Sequence, residues 1–241
     1  MSGNVYEYLT FNGKNMLDFK CKISGGGTFG SSEWDIDTIQ IPGRDGDVLV
    51  SNNRTNNQDV TYDAYIVENF TSNFESMRDF LMQDDQYHRL EDTYHPDQYL
   101  LGKYKGSLDP KVGARNHGAT FTLEFSCIPH RYLKSGENLL SVSSQTIIMN
   151  PTYNVSKPMI FVTGTGSFTI GNVGMIVSKN NGALVIDCEA QECYEGQENR
   201  NGDVTISSTD TEYDFPVLKS GRNTVSVSGL TLKIEPRWFV R

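Results

Sequence analysis

The sequence lacks any apolar run approaching the ~20 residues that a transmembrane helix needs. Residues 1–13 also lack the basic start and the apolar stretch of a secretory signal. We therefore expect neither membrane insertion nor export. Under that expectation, the few cysteines of the chain are reduced thiols rather than a disulfide framework. They are Cys21, Cys127, Cys188 and Cys193.

Positive charge is also scarce. The chain has 21 Lys and Arg residues against 30 Asp and Glu residues, so its formal net charge is −9. Because a phosphate backbone is bound by a basic face, this balance opposes nucleic-acid binding through bulk charge. Aromatic residues make up 11% of the chain, a fraction that disfavours wholesale disorder. At ~150 residues per domain, 241 residues fit one large or two modest domains.

Most of the sequence alternates between apolar and polar residues, the pattern of half-buried β-strands. The alternation is clear in residues 60–66 and in residues 120–128, where the large apolar side chains all fall on one face. It returns in residues 225–234 on both sides of Gly229. The body of the protein is therefore predicted to be mainly β.

One segment instead shows helical spacing. Its apolar residues recur every three or four positions, at Phe70, Phe74, Met77 and Leu81. Residues 72–75 fit a capping box, in which a serine hydroxyl and a glutamate carboxylate satisfy the first free N–H groups of a helix. We predict one helix from Ser72 to about Asp84, with its apolar stripe covering a sheet.

Two connections can also be predicted. The Asn-Asn-Gly string at residues 180–182 favours a hairpin between strands at 174–179 and 183–187. Residues 84–111 form a long polar segment, and loops of that length in a compact domain are usually functional or interface-forming.

A domain boundary is predicted after the strand that ends before Pro129, because residues 134–138 have the composition of a linker. We divide the chain into an N-terminal β-domain with one helix, residues 1–138, and a C-terminal β-domain, residues 139–241. The last strand, at residues 230–239, fits either the second domain or a return to the first.

The motifs that would indicate a cofactor or a metal are weak. Residues 25–30 match GxGxxG by letter, but a strand rather than a helix is predicted to follow, so a loop is favoured. No CxxC or HExxH spacing is present, and we predict no metal and no cofactor. The side chains that could ligate a metal are those of His88, His95 and Asp97, and those of Cys188 and Cys193.

The string IPGRDGD at residues 41–47 is more informative. Proline fixes one φ angle, and glycines on either side of Arg44 and Asp45 permit positive φ. Two interpretations stay open: a hairpin turn with a solvated ion pair, and an interface loop that presents Arg44 and Asp45 to a neighbour. The residues alone favour the turn.

Taken in order, several short motifs resemble the distal tail proteins (Dit) of siphophages. The resemblance covers nearly the whole chain. In the first half it lies in residues 8–13, 41–47 and 74–81, and in the second half in residues 150–153, 157–160, 164–166, 184–188, Tyr194, 214–223 and 234–238.

The resemblance implies a fold and a role. The fold would be a tail-tube-like N-terminal β-domain with one helix, followed by a galectin-like C-terminal β-sandwich. The role would be structural, in a homohexameric ring at the tail tip of the virion, made and assembled in the cytoplasm of the bacterial host. The family's ring contacts lie in the N-terminal domain, which makes Arg44 and Asp45 the predicted ring contacts.

The implied partners are other copies of the chain, the major tail tube protein above the ring, and the tail-associated (Tal, tip or lysin) protein below it. Many family members also carry receptor-binding proteins. The genome passes through the lumen without sequence-specific contact, and we hypothesise that acidic residues there repel it.

Two other classes of function stay open. A carbohydrate-binding module recognising the host wall would use an exposed aromatic platform, with Tyr194, Tyr213 or Trp238 as candidates, although aromatics most often pack in cores or interfaces. A hydrolase is the weakest alternative, because no GxSxG string is present and no catalytic site can be nominated. We therefore predict that the protein is not an enzyme.

Overall fold

The computed structural model describes residues 6–26, 29–180, 182, 184–210 and 212–241. Within these residues the structure is mostly β with one α-helix, as the alternating pattern predicts. It divides into two compact units, the first ending at Arg131 and also including Arg241, the second spanning Tyr132–Val240. No helix among the described residues has the length and apolar character needed to cross a membrane.

The first unit is built around one antiparallel sheet with strand order β2-β1-β7-β8-β10-β6-β3, and β9 pairs with β10. Strands β4 and β5 form a separate two-stranded sheet. The elements are β1 (Leu9–Phe11), β2 (Lys14–Asn15), β3 (Cys21–Ser24), β4 (Trp34–Ile39), β5 (Val48–Thr55), β6 (Gln58–Ile66), α1 (Phe70–Leu81), β7 (His88–Asp92), β8 (Gln98–Tyr104), β9 (Lys111–Val112) and β10 (Ala119–Leu133).

The two strands with the clearest alternation, β6 and β10, are neighbours in this sheet. Residues directly opposite in an antiparallel pair point to the same face, so the two apolar rows meet on one side. Three such pairs, all buried, are Phe121 with Ala64, Leu123 with Tyr62, and Phe125 with Val60. The alternation predicted for both strands is confirmed.

Helix α1 covers the apolar face of the sheet. Its buried residues are Phe70, Phe74, Met77 and Leu81, which confirms the predicted stripe. The ring of Phe74 packs edge-to-face on Phe121 of β10, with 5.3 Å between the ring centres. The stripe and the sheet thus form one core.

The helix runs from Phe70 to Leu81, so the predicted start at Ser72 and the predicted end near Asp84 are both wrong. It begins at Phe70, so Ser72 lies inside the first turn and no side chain caps the N-terminus. Asn73 instead anchors the turn, since its side-chain amide donates to the Glu68 carbonyl at 2.8 Å. Burial of Phe70 explains the difference, because it extends the helix past the residues that resemble a capping box.

The interpretation of residues 84–111 as a long loop segment is also wrong. This segment contains β7 and β8, which pair with Leu90 opposite Leu100, both buried in the core. Charged and aromatic residues conceal the alternation in the sequence. They pack on one another across the strands, as where the Arg89 guanidinium lies 3.9 Å from the centre of the Tyr99 ring.

The second unit also has one hydrogen-bonded sheet, with the order β11-β19-β13-β15-β16-β17. Strand β12 also pairs with β19, and β14 pairs with β13 and β18. The strands are β11 (Leu140–Val142), β12 (Thr146–Asn150), β13 (Met159–Ile170), β14 (Val173–Val177), β15 (Leu184–Asp187), β16 (Glu192–Glu195), β17 (Glu198–Asn199), β18 (Val204–Ser208), β19 (Gly221–Glu235) and β20 (Phe239–Val240).

The long strands β13 and β19 fold this sheet over on itself. Each pairs with different partners along its two halves: β13 with β15 and then β14, and β19 with β12 and then β11. The register between β13 and β19 shifts between Gly164 and Ser167, as expected at a bulge. Because Ile160 from one half and Phe168 from the other lie in one buried cluster, the two halves form the layers of a sandwich.

The predicted hairpin between residues 174–179 and 183–187 is wrong. Strands β14 and β15 both pair with β13, at different positions along it, and not with each other. The turn letters are nevertheless used locally: Asn180 accepts a hydrogen bond from the Gly182 N–H at 2.8 Å and donates to the Val162 carbonyl at 2.9 Å. Residues 181 and 183 lie outside the described residues.

The prediction that the strand ends before Pro129 is wrong, because β10 continues to Leu133. Pairing with β6 ends at Cys127, so no ladder hydrogen bond to β6 is lost at the proline, which has no N–H. The residues predicted to be a linker form a 3₁₀ turn, Lys134–Glu137, with Gly136 buried. Beyond it, β19 and β20 both belong to the second unit.

The bend in β13 leads to a stability prediction. A Cβ on Gly166 would lie 2.1 Å from the Ser228 carbonyl oxygen, and its φ of +147° is unfavourable for other residues. We expect Gly166→Ala to lower the free energy of unfolding by about 3 kcal/mol or more, from strain and backbone clash together. Urea unfolding monitored by circular dichroism measures the change.

Gly171→Ala is the matched control, since Gly171 also has positive φ, at +60°, but open space around its Cβ position. It should cost only about 1 kcal/mol. Equal losses in the two variants would mean that close backbone approach at the bend does not determine the stability of this unit.

Candidate functional site

The candidate site is the hairpin formed by β4 and β5. Its strands pair with each other, with Asp37 opposite Val50 and Ile39 opposite Val48, and with no other strand among the described residues. The strand at β4 also confirms that no helix follows the glycine-rich string at residues 25–30. Residues 27 and 28 of that string lie outside the described residues.

The residues at the hairpin tip determine the shape of the turn. Pro42 and Gly43 occupy its two central positions, and the Arg44 N–H donates to the Ile41 carbonyl at 3.2 Å. Gly43 has φ of +83°, the value that a type II turn requires at its third residue. Gly46, with φ of +80°, turns the chain back toward β5.

The structure brings Arg44 and Asp45 together at this tip, where both are exposed. Neither side chain forms an ion pair with any of the described residues. Both charges are therefore presented to solvent on a turn whose backbone is fixed by proline and glycine.

Apolar side chains are exposed on both faces of the hairpin. Leu49 is 65% exposed on one face, together with Trp34 at 56%, and Ile39 is 51% exposed on the other. A two-stranded hairpin is marginally stable alone, and contiguous exposed apolar surface often marks an interaction site.

Polar contacts between the two strands are concentrated near the base of the hairpin. The Asn52 side-chain amide donates to Asp35 at 2.9 Å, and the Arg54 guanidinium lies 3.3 Å from the same carboxylate. Such exposed ion pairs contribute about 0–1 kcal/mol. Neither contact covers the apolar side chains nearer the tip.

The histidines considered as metal ligands do not share a site. His88 pairs with Asp84 at 2.7 Å, whereas His95 pairs with Asp92 at 3.0 Å, and Asp97 is exposed. No group of three or more His, Cys, Asp or Glu side chains suited to a metal occurs in the described part of the chain.

Asp92 belongs to a buried hydrogen-bond network that the sequence did not reveal. The Tyr62 hydroxyl donates to one of its oxygens at 2.7 Å, and the backbone N–H of His95 donates to the other at 2.8 Å. Burial, followed by the charge of Asp92, raises the pKa of Tyr62 above its ordinary range. The network joins β6 to β7.

The cysteines are free and buried. Burial raises the pKa of Cys21 and Cys127 to about 12 and that of Cys193 to about 11, and it also raises the pKa of Cys188. Since the thiolate is the nucleophile and the metal ligand, these thiols are poorly suited to either role near neutral pH.

The three aromatic candidates for a sugar platform are all buried or half-buried. Trp238 is only 5% exposed and belongs to the core, the commoner role of such aromatics, so it cannot present a platform. Tyr194 is half-buried in β16, and the half-buried Tyr213 donates from its hydroxyl to Glu212 at 2.8 Å. Tyr153, which is not among these candidates, is the most exposed aromatic of the described residues, at 99% exposure.

Comparison with solved structures shows that the fold is similar to that of a phage hub protein. The chain resembles the Dit protein (gp 19.1) of phage SPP1, whose crystal structure is described as a paradigm of the hub adsorption apparatus in phages that infect Gram-positive bacteria. The TM-score is 0.72 at 14% sequence identity, over 95% of this chain and 98% of that one.

A structure of the phage P2 baseplate in its activated conformation with Ca also matches, over 95% of this chain and 98% of that one. Its TM-score is 0.48 at 11% identity. No protein-family model matches the sequence. No curated protein matches it at a significant level.

The thiols lead to a labelling prediction. At pH 8 the native protein should react with Ellman's reagent far more slowly than the urea-unfolded protein, in which all four cysteines should react, because burial withholds both access and ionisation. Rapid labelling of any thiol in the native state would contradict its burial.

The raised pKa values of the buried thiols also predict how the free energy of unfolding depends on pH. The pKa of Cys21 rises from its ordinary 9.0 to about 12 on folding, so the unfolded chain loses its proton first as the pH rises. The free energy of unfolding should therefore fall above about pH 9, and Cys21→Ala should reduce that fall in urea titrations at pH 8 and pH 10.

Proposed function

We propose that this protein is a structural component of a phage tail tip, a hub that forms a homohexameric ring and has no catalytic activity. The observation that supports this most is the likeness to SPP1 Dit, which extends over 95% of the chain and over both units. The second unit, a bent-sheet sandwich, is compatible with the galectin-like domain expected from the resemblance.

Ring formation requires two different surfaces on each copy, because a closed ring is built from head-to-tail interfaces. The β4–β5 hairpin supplies features suited to one of them: outer strand edges without partners among the described residues, and apolar side chains on both faces. Burying those edges against a neighbour would also protect them from aggregation. We propose that Arg44 and Asp45 at the tip are ring contacts.

The remaining partners follow from the same proposal. The ring would join the tail tube protein on one side to the tail-associated tip or lysin protein on the other, with receptor-binding proteins attached in some assemblies. It would lie in the virion at the tail tip after assembly in the cytoplasm of the host. A lumen lined by acidic residues would repel the passing genome, in keeping with the net charge of −9.

Charge reversal at the tip tests the proposed contacts. Arg44→Glu and Asp45→Lys should each reduce ring assembly at least about tenfold, because like charges placed opposite one another at an interface are costly. Both residues are exposed, so the free energy of unfolding should change by less than about 0.5 kcal/mol. Native mass spectrometry and negative-stain imaging of the full chain, with and without the tail tube protein, measure assembly.

The controls are Lys157→Glu and Asp109→Lys, which reverse exposed charges outside the hairpin. They should leave assembly unchanged. Rings from the tip variants that are as abundant as wild-type rings would exclude Arg44 and Asp45 as contacts. The absence of any annulus from the wild-type chain in both conditions would count against the ring itself.

A further inference from the structure

A concave site in the second unit is not used by the proposed hub function. It lies between the turn that joins β13 to β14, the start of β19 and the segment before β19, and has a volume of about 360 Å³. That volume lies at the lower end of the range for small-molecule sites, and it exceeds what a single inorganic ion would fill.

The lining of this cavity is mainly polar and charged, with apolar residues beneath it. Ile170, Val173 and Val217 lie at its base and are each at most 6% exposed. Asn172 and Thr224 add an amide and a hydroxyl, groups that hydrogen-bond to ligand hydroxyls. Several hydrogen-bonding groups around a cavity of this size suit a sugar, which carries several hydroxyls.

The charged groups of the lining have a net positive sum, on a chain that is acidic overall. Lys219 and Arg222 carry positive charge and Asp210 carries negative charge. The Asp210 carboxylate lies 3.1 Å from the Lys219 ammonium, so these two neutralise each other in part. Arg222 has no ion-pair or hydrogen-bond partner for its side chain among the described residues, which leaves its guanidinium available.

The segment that carries both cations is fixed by a buried side chain. Asn223 is buried, and its side-chain oxygen accepts from the Lys219 N–H at 2.8 Å. Its side-chain nitrogen donates to the Lys219 carbonyl at 2.7 Å and to the Gly221 carbonyl at 3.1 Å. The turn from 219 to 223 is thus held in one conformation before any ligand arrives, which lowers the entropic cost of binding.

Asp210, the ion-pair partner of Lys219, is itself held by a hydrogen bond from the backbone. Asp210 accepts a hydrogen bond from the Glu212 N–H at 3.0 Å through one oxygen and meets Lys219 through the other. The Lys219 ammonium also lies 5.6 Å from the centre of the Tyr213 ring. The rim therefore combines a positioned ammonium with a guanidinium whose planar fork matches a carboxylate or a phosphate.

We propose that this cavity binds a small saccharide that carries one anionic group, a carboxylate or a phosphate, with Arg222 as the principal partner of that group. The inference does not depend on ring formation, since every residue involved lies in the second unit of one chain.

Calorimetric titration of the full chain tests the proposal with four probes: glucuronic acid, glucose 6-phosphate, glucose and inorganic phosphate. At least one of the anionic sugars should bind saturably, and at least about tenfold more tightly than glucose, because charge-assisted hydrogen bonds are the stronger ones. The two anionic sugars distinguish a carboxylate from a phosphate. Inorganic phosphate should bind more weakly than the sugar phosphate, since it leaves most of the cavity empty.

Arg222→Gln should weaken binding of the anionic sugar about tenfold or more. Lys233→Gln is the matched control, because it removes the same charge from an exposed position of β19 outside the cavity lining, and it should bind like the wild type. Urea unfolding of both variants checks that the fold is retained.

Four results would overturn the proposal: no saturable binding of either anionic sugar, equal affinity for glucose, equal affinity for inorganic phosphate, or equal losses in the two variants. The oligomeric state measured on the same sample keeps this outcome separate from that of the ring.

Discussion

Each of the two large sheets has an apolar face that must be removed from water, and most of the architecture follows from how that is done. In the first unit a helix covers the face, with Phe74 of α1 packed on Phe121 of β10. In the second unit the sheet covers itself, because β13 and β19 bend where Gly166 and Gly229 allow their backbones to approach closely. In the β4–β5 hairpin, apolar side chains such as Leu49 and Trp34 stay exposed. This exposure is the reason to regard the hairpin as a surface for a partner.

The parts of the fold that depend on periodicity could be predicted from the sequence. The apolar rows of β6, β10 and β19 and the stripe of α1 are regular, and burial follows them closely. The errors arose where local and tertiary preferences disagree. Residues 72–75 resemble a cap, but burial of Phe70 starts the helix earlier. Asn180 and Gly182 resemble a hairpin turn, but β13 is long enough to pair with both flanking strands at once.

The two candidate sites also differ in how far they could be predicted from the sequence. The tip of the hairpin could be predicted because proline and glycine at 41–46 determine turn geometry within a few residues. The cavity could not, since it joins residues 170–173 to residues 210–224 through pairing that no local pattern specifies. Trp238 shows the opposite difficulty, because composition identifies an aromatic residue but only tertiary packing determines whether it is a platform or part of the core.

Two folds can be this similar at 14% sequence identity for a physical reason, and the same reason limits what the similarity says about function. A half-buried strand needs apolar character at alternate positions, and many sequences meet that requirement. A docking tip or a ligand cavity needs particular groups at particular places, such as the charges of Arg44 and Asp45 at the hairpin tip or the guanidinium of Arg222 at the cavity lining. Function therefore has to be argued from sites rather than from the fold. The hairpin and the cavity share no residue, so the proposed assembly and the proposed ligand binding each have to be tested with their own variants.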